Sequence, residues 1–186
     1  MIHIYAIHGA FSSPTIFNYL KAQLGPQYKW HFLDYQKETG GLQDIISRAR
    51  PPTEPHHVVG HSMGGLIALA LLHNSNITSV TTISTPLGGA EINFMQQYLS
   101  RSEFMSDINS SGEFIRGLQK SKPATPVQHI VSTAGFNPWI YEPCDGVVTL
   151  RSQRAFALGP VHDVASNHAE VMMNDLTVAH LKKFWS

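Results

Sequence analysis

Residues 56–72 read His-His-Val-Val-Gly-His-Ser-Met-Gly-Gly-Leu-Ile-Ala-Leu-Ala-Leu-Leu, and this stretch constrains the fold more than any other. A β-branched run enters Gly60-His61-Ser62-Met63-Gly64, and an apolar Ala/Leu-rich run leaves it. A strand that turns this abruptly into a helix brings its flanking residues against neighbouring backbone, where only glycine fits without a clash. Such a turn lifts the Ser62 hydroxyl clear of the sheet and sets it at a helix N-terminus, whose free N–H groups favour negative charge. Gly-x-Ser-x-Gly alone arises by chance in roughly one chain in twenty of this length. The strand before it and the helix after it therefore carry the argument. If they are incidental, the segment is a glycine-rich turn with an idle serine.

The rest of the chain alternates strand and helix signals, the pattern of a parallel sheet covered on both faces. Strands are expected at Ile2–Ile7, Tyr28–Tyr35, Val58-Val59, Ile77–Ser84, Val127–Ser132 and Pro160–Ala165. Helices are expected from Ser13-Pro14 to about Leu24, over Leu42–Arg50, over Leu66–Leu72, and from Asp175 to Trp185. In the last of these, Leu176, Ala179, His180 and Lys183 fall at helical spacing. No repeat or low-complexity tract interrupts the pattern, so one α/β domain over residues 1–186 is expected. Pro86 to Pro126 is long for a connection. Phe94, Met95, Tyr98 and Leu99 would share one helical face, and Phe114, Ile115 and Leu118 another. The segment reads either as surface helices on the sheet or as a small lid or pocket wall.

Composition narrows the function classes. With 13 Lys+Arg against 13 Asp+Glu, no charge excess points to nucleic acid or to an anionic membrane. No apolar run is long enough to form an integral membrane segment. The first residues lack a charged n-region and read as a core strand. Cys144 is the only cysteine, which excludes an internal disulfide and makes cytoplasm the default location. Oligomeric state is left open. Clustered metal-ligand spacing is absent, so neither metal nor cofactor is expected.

An activated serine needs a base, an acid and oxyanion donors. In open α/β sheets these gather at the carboxyl ends of strands. The first strand ends at His8-Gly9-Ala10-Phe11, where the Ala10 N–H, with that of Met63, would form an oxyanion hole; Phe11 is the competing donor. His8 reads as tying down backbone. Asp145, in Glu142-Pro143-Cys144-Asp145-Gly146-Val147-Val148, is the candidate acid, with Glu142 and Asp163 as rivals and an Asp-Gly turn as the structural alternative. For the base, His168 lies on a loop past the last strand. His162 falls within that strand and His180 on the closing helix. Phe11 and Val147 are candidate substrate contacts, and Phe136–Tyr141 supplies further apolar side chains.

Ser62, Asp145 and His168 follow the order Ser…Asp…His. With His8-Gly9-Ala10-Phe11, Gly60–Gly65, Ser84-Thr85-Pro86-Leu87-Gly88-Gly89 and Asp145-Gly146-Val147-Val148, the chain resembles the α/β-hydrolase superfamily, in its small lipase and esterase branch. The resemblance implies a three-layer α/β sandwich: a minimal version of that fold, with a mostly parallel sheet of about six strands. It also implies a serine hydrolase cleaving a carboxylic ester of short to medium acyl chain, or a lipid-like one, through an acyl-enzyme. An acyl thioesterase or acyltransferase, or a non-catalytic ligand-binding protein on the same fold, are the alternatives.

Overall fold

The computed structural model describes residues 1–37, 40–90, 107–110 and 112–186. Its centre is a six-stranded sheet in which every pairing is parallel. The strands are β1 (Ile2–Ile7), β2 (Tyr28–Leu33), β3 (His56–His61), β4 (Ile77–Ile83), β5 (Val127–Ser132) and β6 (Val161–Val164), in the order β2-β1-β3-β4-β5-β6. The chain steps outward from β1 to β2, then returns to lay β3 on the other side of β1. That reversal opens a crevice at the carboxyl ends of β1 and β3, where such sheets form their sites.

Both faces of the sheet are covered, so its strands are apolar on both sides. Tyr5, Ile7, Val58 and Val80 face one core, closed by α2 (Leu42–Arg48), α3 (Met63–Ala70) and α4 (Glu113–Gln119). Ile4, Ala6, Val59, Ile130 and Val164 face the other, closed by α1 (Asn18–Leu24) and α6 (Asp175–Phe184). Seven of the eight residues of α3 are buried. A helix apolar all round must be covered all round, and α3 lies between the sheet, α2 and α4.

Local signals act as their chemistry requires. The Ser13 hydroxyl accepts from Thr15 N–H and Pro14 opens a 3-10 turn, Pro14–Phe17, that leads into α1. The Asn174 side chain caps α6 by accepting from Leu176 N–H. The buried face of α6 is Thr177, Val178 and Leu181, while Leu176, one of the residues at helical spacing, is exposed. A four-residue helix, α5 (Leu150–Gln153), gives no periodic signal and was not expected.

Of the Pro86–Pro126 segment, α4 packs Ile115 and Leu118 into the first core, with Phe114 against it. Phe94, Met95, Tyr98 and Leu99 lie outside the described residues. No described helix is long and apolar enough to cross a membrane.

Candidate active site

Ser62 occupies the turn between β3 and α3 with φ 54° and ψ −126°. A non-glycine residue there is strained by about 1–3 kcal/mol and persists only where its surroundings over-determine it. Here they do. Ser62 N–H donates to Ile83 O at 2.8 Å, and Ser62 O accepts from Gly65 N–H at 3.0 Å. A Cβ on Gly60 would lie 2.3 Å from Gly64 O, and one on Gly64 would lie 2.2 Å from Ile7 O. The elbow is thus wedged against its own helix and against β1, and any side chain at either glycine would force it open. A Cβ on Gly9 would come within 2.9 Å of Ser62 Cβ, so the turn after β1 runs directly beside the serine.

That turn carries Ala10 and Phe11. Neither Ala10 N–H nor Met63 N–H donates to another described residue, which leaves both available to an anion above Ser62. His8 braces the turn from below. Its Nδ1 meets Gly9 O at 2.8 Å, its Nε2 accepts from Tyr35 N–H at 3.3 Å, and its ring stacks on Tyr35 at 4.1 Å.

Asp145 and His168 meet on the far side of the elbow. Asp145 is fully buried, in the connection between β5 and β6, and its Oδ2 lies 2.7 Å from His168 Nδ1. A carboxylate only accepts, so Nδ1 carries the proton and Nε2 is left as the acceptor. His168 N–H also donates to Asp145 O at 2.9 Å, which fixes the backbone of the base to that of the acid. Burial pushes the Asp145 carboxyl up. The bonds from His168, Ser132 and Val148 outweigh it and hold the group below its ordinary value.

The link back to the serine runs through His61, the residue before it. His61 Nε2 donates to His168 O at 2.8 Å, and the two rings lie 4.9 Å apart. Burial, with His168 adding to it, lowers His61 to about 3, so it is a neutral strut between β3 and the loop that carries His168. Sequence reading missed His61, although its place beside Ser62 was the available clue. It also missed Ser132 and Gln153, which bond to Asp145; neither announces itself.

The rival candidates are accounted for elsewhere. Glu142 forms a two-pronged pair with Arg151 at 2.8 and 2.9 Å, and Asp163 does the same with Arg154 at 2.7 and 2.8 Å. His162 and His180 stack on each other at 4.1 Å. A cavity of about 320 Å³ opens over Ser62, with Ala10, Met63, Val147, Val148, Trp139 and Tyr141 among its walls. Phe11, expected as a substrate contact, does not line it. Its backbone has a positive φ of 56°, and its ring is 69% exposed.

No curated protein matches the chain. Solved structures do, over nearly its full length. Bacillus licheniformis lipase BlEst2 in its mature form aligns with a TM-score of 0.73 at 14% identity, covering 100% of this chain and 92% of that one. A hydrolase from Oleispira antarctica, olei00960, aligns with a TM-score of 0.73 at 15% identity, covering 100% and 91%. The thioesterase domain from the curacin biosynthetic pathway gives 0.63 at 16%, covering 99% and 94%. At such identities the likeness is one of fold. The family profile of the PGAP1-like alpha/beta domain matches residues 31–136, more than half of the sequence. By its family profile the chain belongs to the PGAP1-like alpha/beta domain family, and its fold is that of the α/β hydrolases.

Proposed function

We propose that this protein is a serine hydrolase that cleaves a carboxylic ester, of short to medium acyl chain or lipid-like, through an acyl-enzyme. The observation that carries the reading is the bond from His168 Nδ1 to buried Asp145, on a loop tied by His61 to the turn that holds Ser62. In this reading His168 Nε2 takes the Ser62 proton as Oγ attacks the ester carbonyl, then returns it to the leaving alcohol. Asp145 keeps the imidazole in the right tautomer and stabilises the imidazolium without itself taking the proton. The N–H groups of Ala10 and Met63 receive the oxyanion, each worth roughly 3 kcal/mol in such sites. Water then releases the acid by the same route. Val147 contributes to the apolar wall that the acyl chain meets.

Thioesters are the second substrate class for the same apparatus, and the thioesterase domain among the structural relatives supports including them. A fluorophosphonate probe tests the core of the proposal, because it reacts only with an activated serine. Labelling confined to Ser62, with turnover of p-nitrophenyl acyl esters lost roughly a millionfold in Ser62→Ala, is the expected result. An unlabelled chain, or unchanged turnover in the variant, refutes it. A chain-length series of esters and thioesters then selects the substrate.

A further inference from the structure

Asp145 is held by more groups than the orientation of one histidine requires. Its Oδ1 accepts from the N–H groups of Val147 at 2.9 Å and Val148 at 2.7 Å. Its Oδ2, the oxygen that meets His168, also accepts from Ser132 Oγ at 2.5 Å and Gln153 Nε2 at 3.1 Å. The direction of each bond follows from the chemistry. Asp145 can only accept, so the single hydroxyl proton of Ser132 is directed at Oδ2. Ser84 Oγ, 2.7 Å from Ser132 Oγ, must then be the donor in that contact. Gln153 is aligned from its other end, where Oε1 accepts Ser132 N–H at 3.1 Å, while Nε2 also meets Ser132 O at 3.1 Å. Ser84, Ser132, Asp145 and Gln153 are each at most 2% exposed.

We propose that Ser132 and Gln153 are positioning residues acting through Asp145: they share the charge on Oδ2, so that the carboxylate orients His168 without trapping it as a permanent imidazolium. The proposal rests on the reading of Asp145 and His168 as acid and base. A buried carboxylate bonded to a histidine alone, in a medium of low dielectric, grips the protonated ring strongly. A general base works best when it exchanges its proton near the operating pH. Two neutral donors on the same oxygen draw charge away from the histidine bond while keeping Oδ2 in place. The Val147 and Val148 N–H groups hold the other oxygen, so losing Ser132 changes the charge at Oδ2 more than its position.

The ring titration of His168, followed by NMR on the full chain and assigned by its loss in His168→Gln, tests this without a substrate. His61 also faces the pair, from β3, but stays neutral down to about pH 3 and adds no charge in the range measured. The midpoint of His168 is expected to rise by roughly half to one pH unit in Ser132→Ala. A smaller rise is expected in Gln153→Met, and a return towards the parent in Ser132→Thr, which keeps the hydroxyl. The acid limb of kcat/KM should move the same way, with kcat/KM down about three- to tenfold below neutrality. A midpoint that stays or falls in Ser132→Ala, or that rises as far in Ser132→Thr, overturns the proposal. Should Ser132→Ala not fold, Gln153→Met carries the same decision. If Ser62 proves unreactive to the fluorophosphonate and the chain hydrolyses no acyl ester, the hydrolase reading fails, and the ring titration still decides this one.

Discussion

The two ends of the sheet hold histidines under opposite conditions. At the carboxyl end, His168 is fixed by Asp145 through its ring and its N–H, and by His61 through its carbonyl. At the amino end, His3, His31 and His56 come from three neighbouring strands, with the rings of His3 and His31 5.2 Å apart. There His3 Nδ1, His31 Nε2 and His56 Nε2 are buried without a hydrogen-bond partner among the described residues. The carboxyl end has one such atom, His61 Nδ1, on a ring whose other nitrogen is bonded, as His56 Nδ1 is to Glu54 O at the amino end. One end uses polar groups to set geometry. The other leaves one nitrogen of each ring without a hydrogen bond among the described residues.

The sharpest way to break the contrast is to remove the charge at the well-bonded end. Asp145→Asn should lower kcat by about 10³–10⁴-fold, because whichever oxygen becomes the amide nitrogen then points hydrogens at groups that donate already: Val147 and Val148 at one position, or Ser132, Gln153 and His168 at the other. Steady-state ester hydrolysis checks this; a loss below tenfold would remove Asp145 from the mechanism.

The second prediction concerns the sheltered end. Burial, with His3 and Lys29 nearby, lowers His31 against the opposing pull of Glu54, and burial and His3 lower His56. Both therefore bind protons less readily when folded than once unfolded. Their contribution to stability is whole above about pH 6.5, the ordinary histidine value, and drains away as pH falls towards the lowered folded values. His31→Leu removes one of these groups without costing a hydrogen bond recorded for it. The acid-unfolding midpoint should drop by roughly a few tenths of a pH unit, with stability at pH 8 and catalysis unchanged. A midpoint that rises would mean that the His31 ring stabilises the fold in acid.

The smallest effect sharpens the contrast between bonded carboxylates. Asp163 is paired with Arg154 as closely as Asp145 is with His168, but at the surface. Asp163→Asn should cost at most about 1 kcal/mol, less in high salt, with ester hydrolysis intact. A large loss of activity would return Asp163 to the list of acids.

What was legible in sequence follows the same division. Glycines at Gly60 and Gly64, β-branched runs and caps act through local sterics, so the strands, the elbow and the start of α1 could be read directly. Asp145 and His168 could be named as candidates because each follows a strand at the edge where a serine had already been placed. Ser132 and Gln153 could not. Their side-chain partners lie 8 to 48 residues away, and Gln153 sits on a four-residue helix too short to show a period. Which face of α6 is buried could not be read, for a related reason. In ten residues two overlapping stripes compete, and packing against α1 and β6, not spacing, selects Val178 and Leu181 over Leu176 and Ala179. Phe11 was assigned to the pocket from its neighbourhood alone; its ring is exposed and does not line the cavity over Ser62.

The bond from His61 to the carbonyl of His168 joins positions 107 residues apart. A chain still emerging from synthesis would own the elbow, strain included, long before it owned the base. Chemistry at Ser62 would therefore begin only when β6 and the loop beyond it had docked. In the proposed reading, turnover is a completion signal for folding, silent until the last strand is in its place.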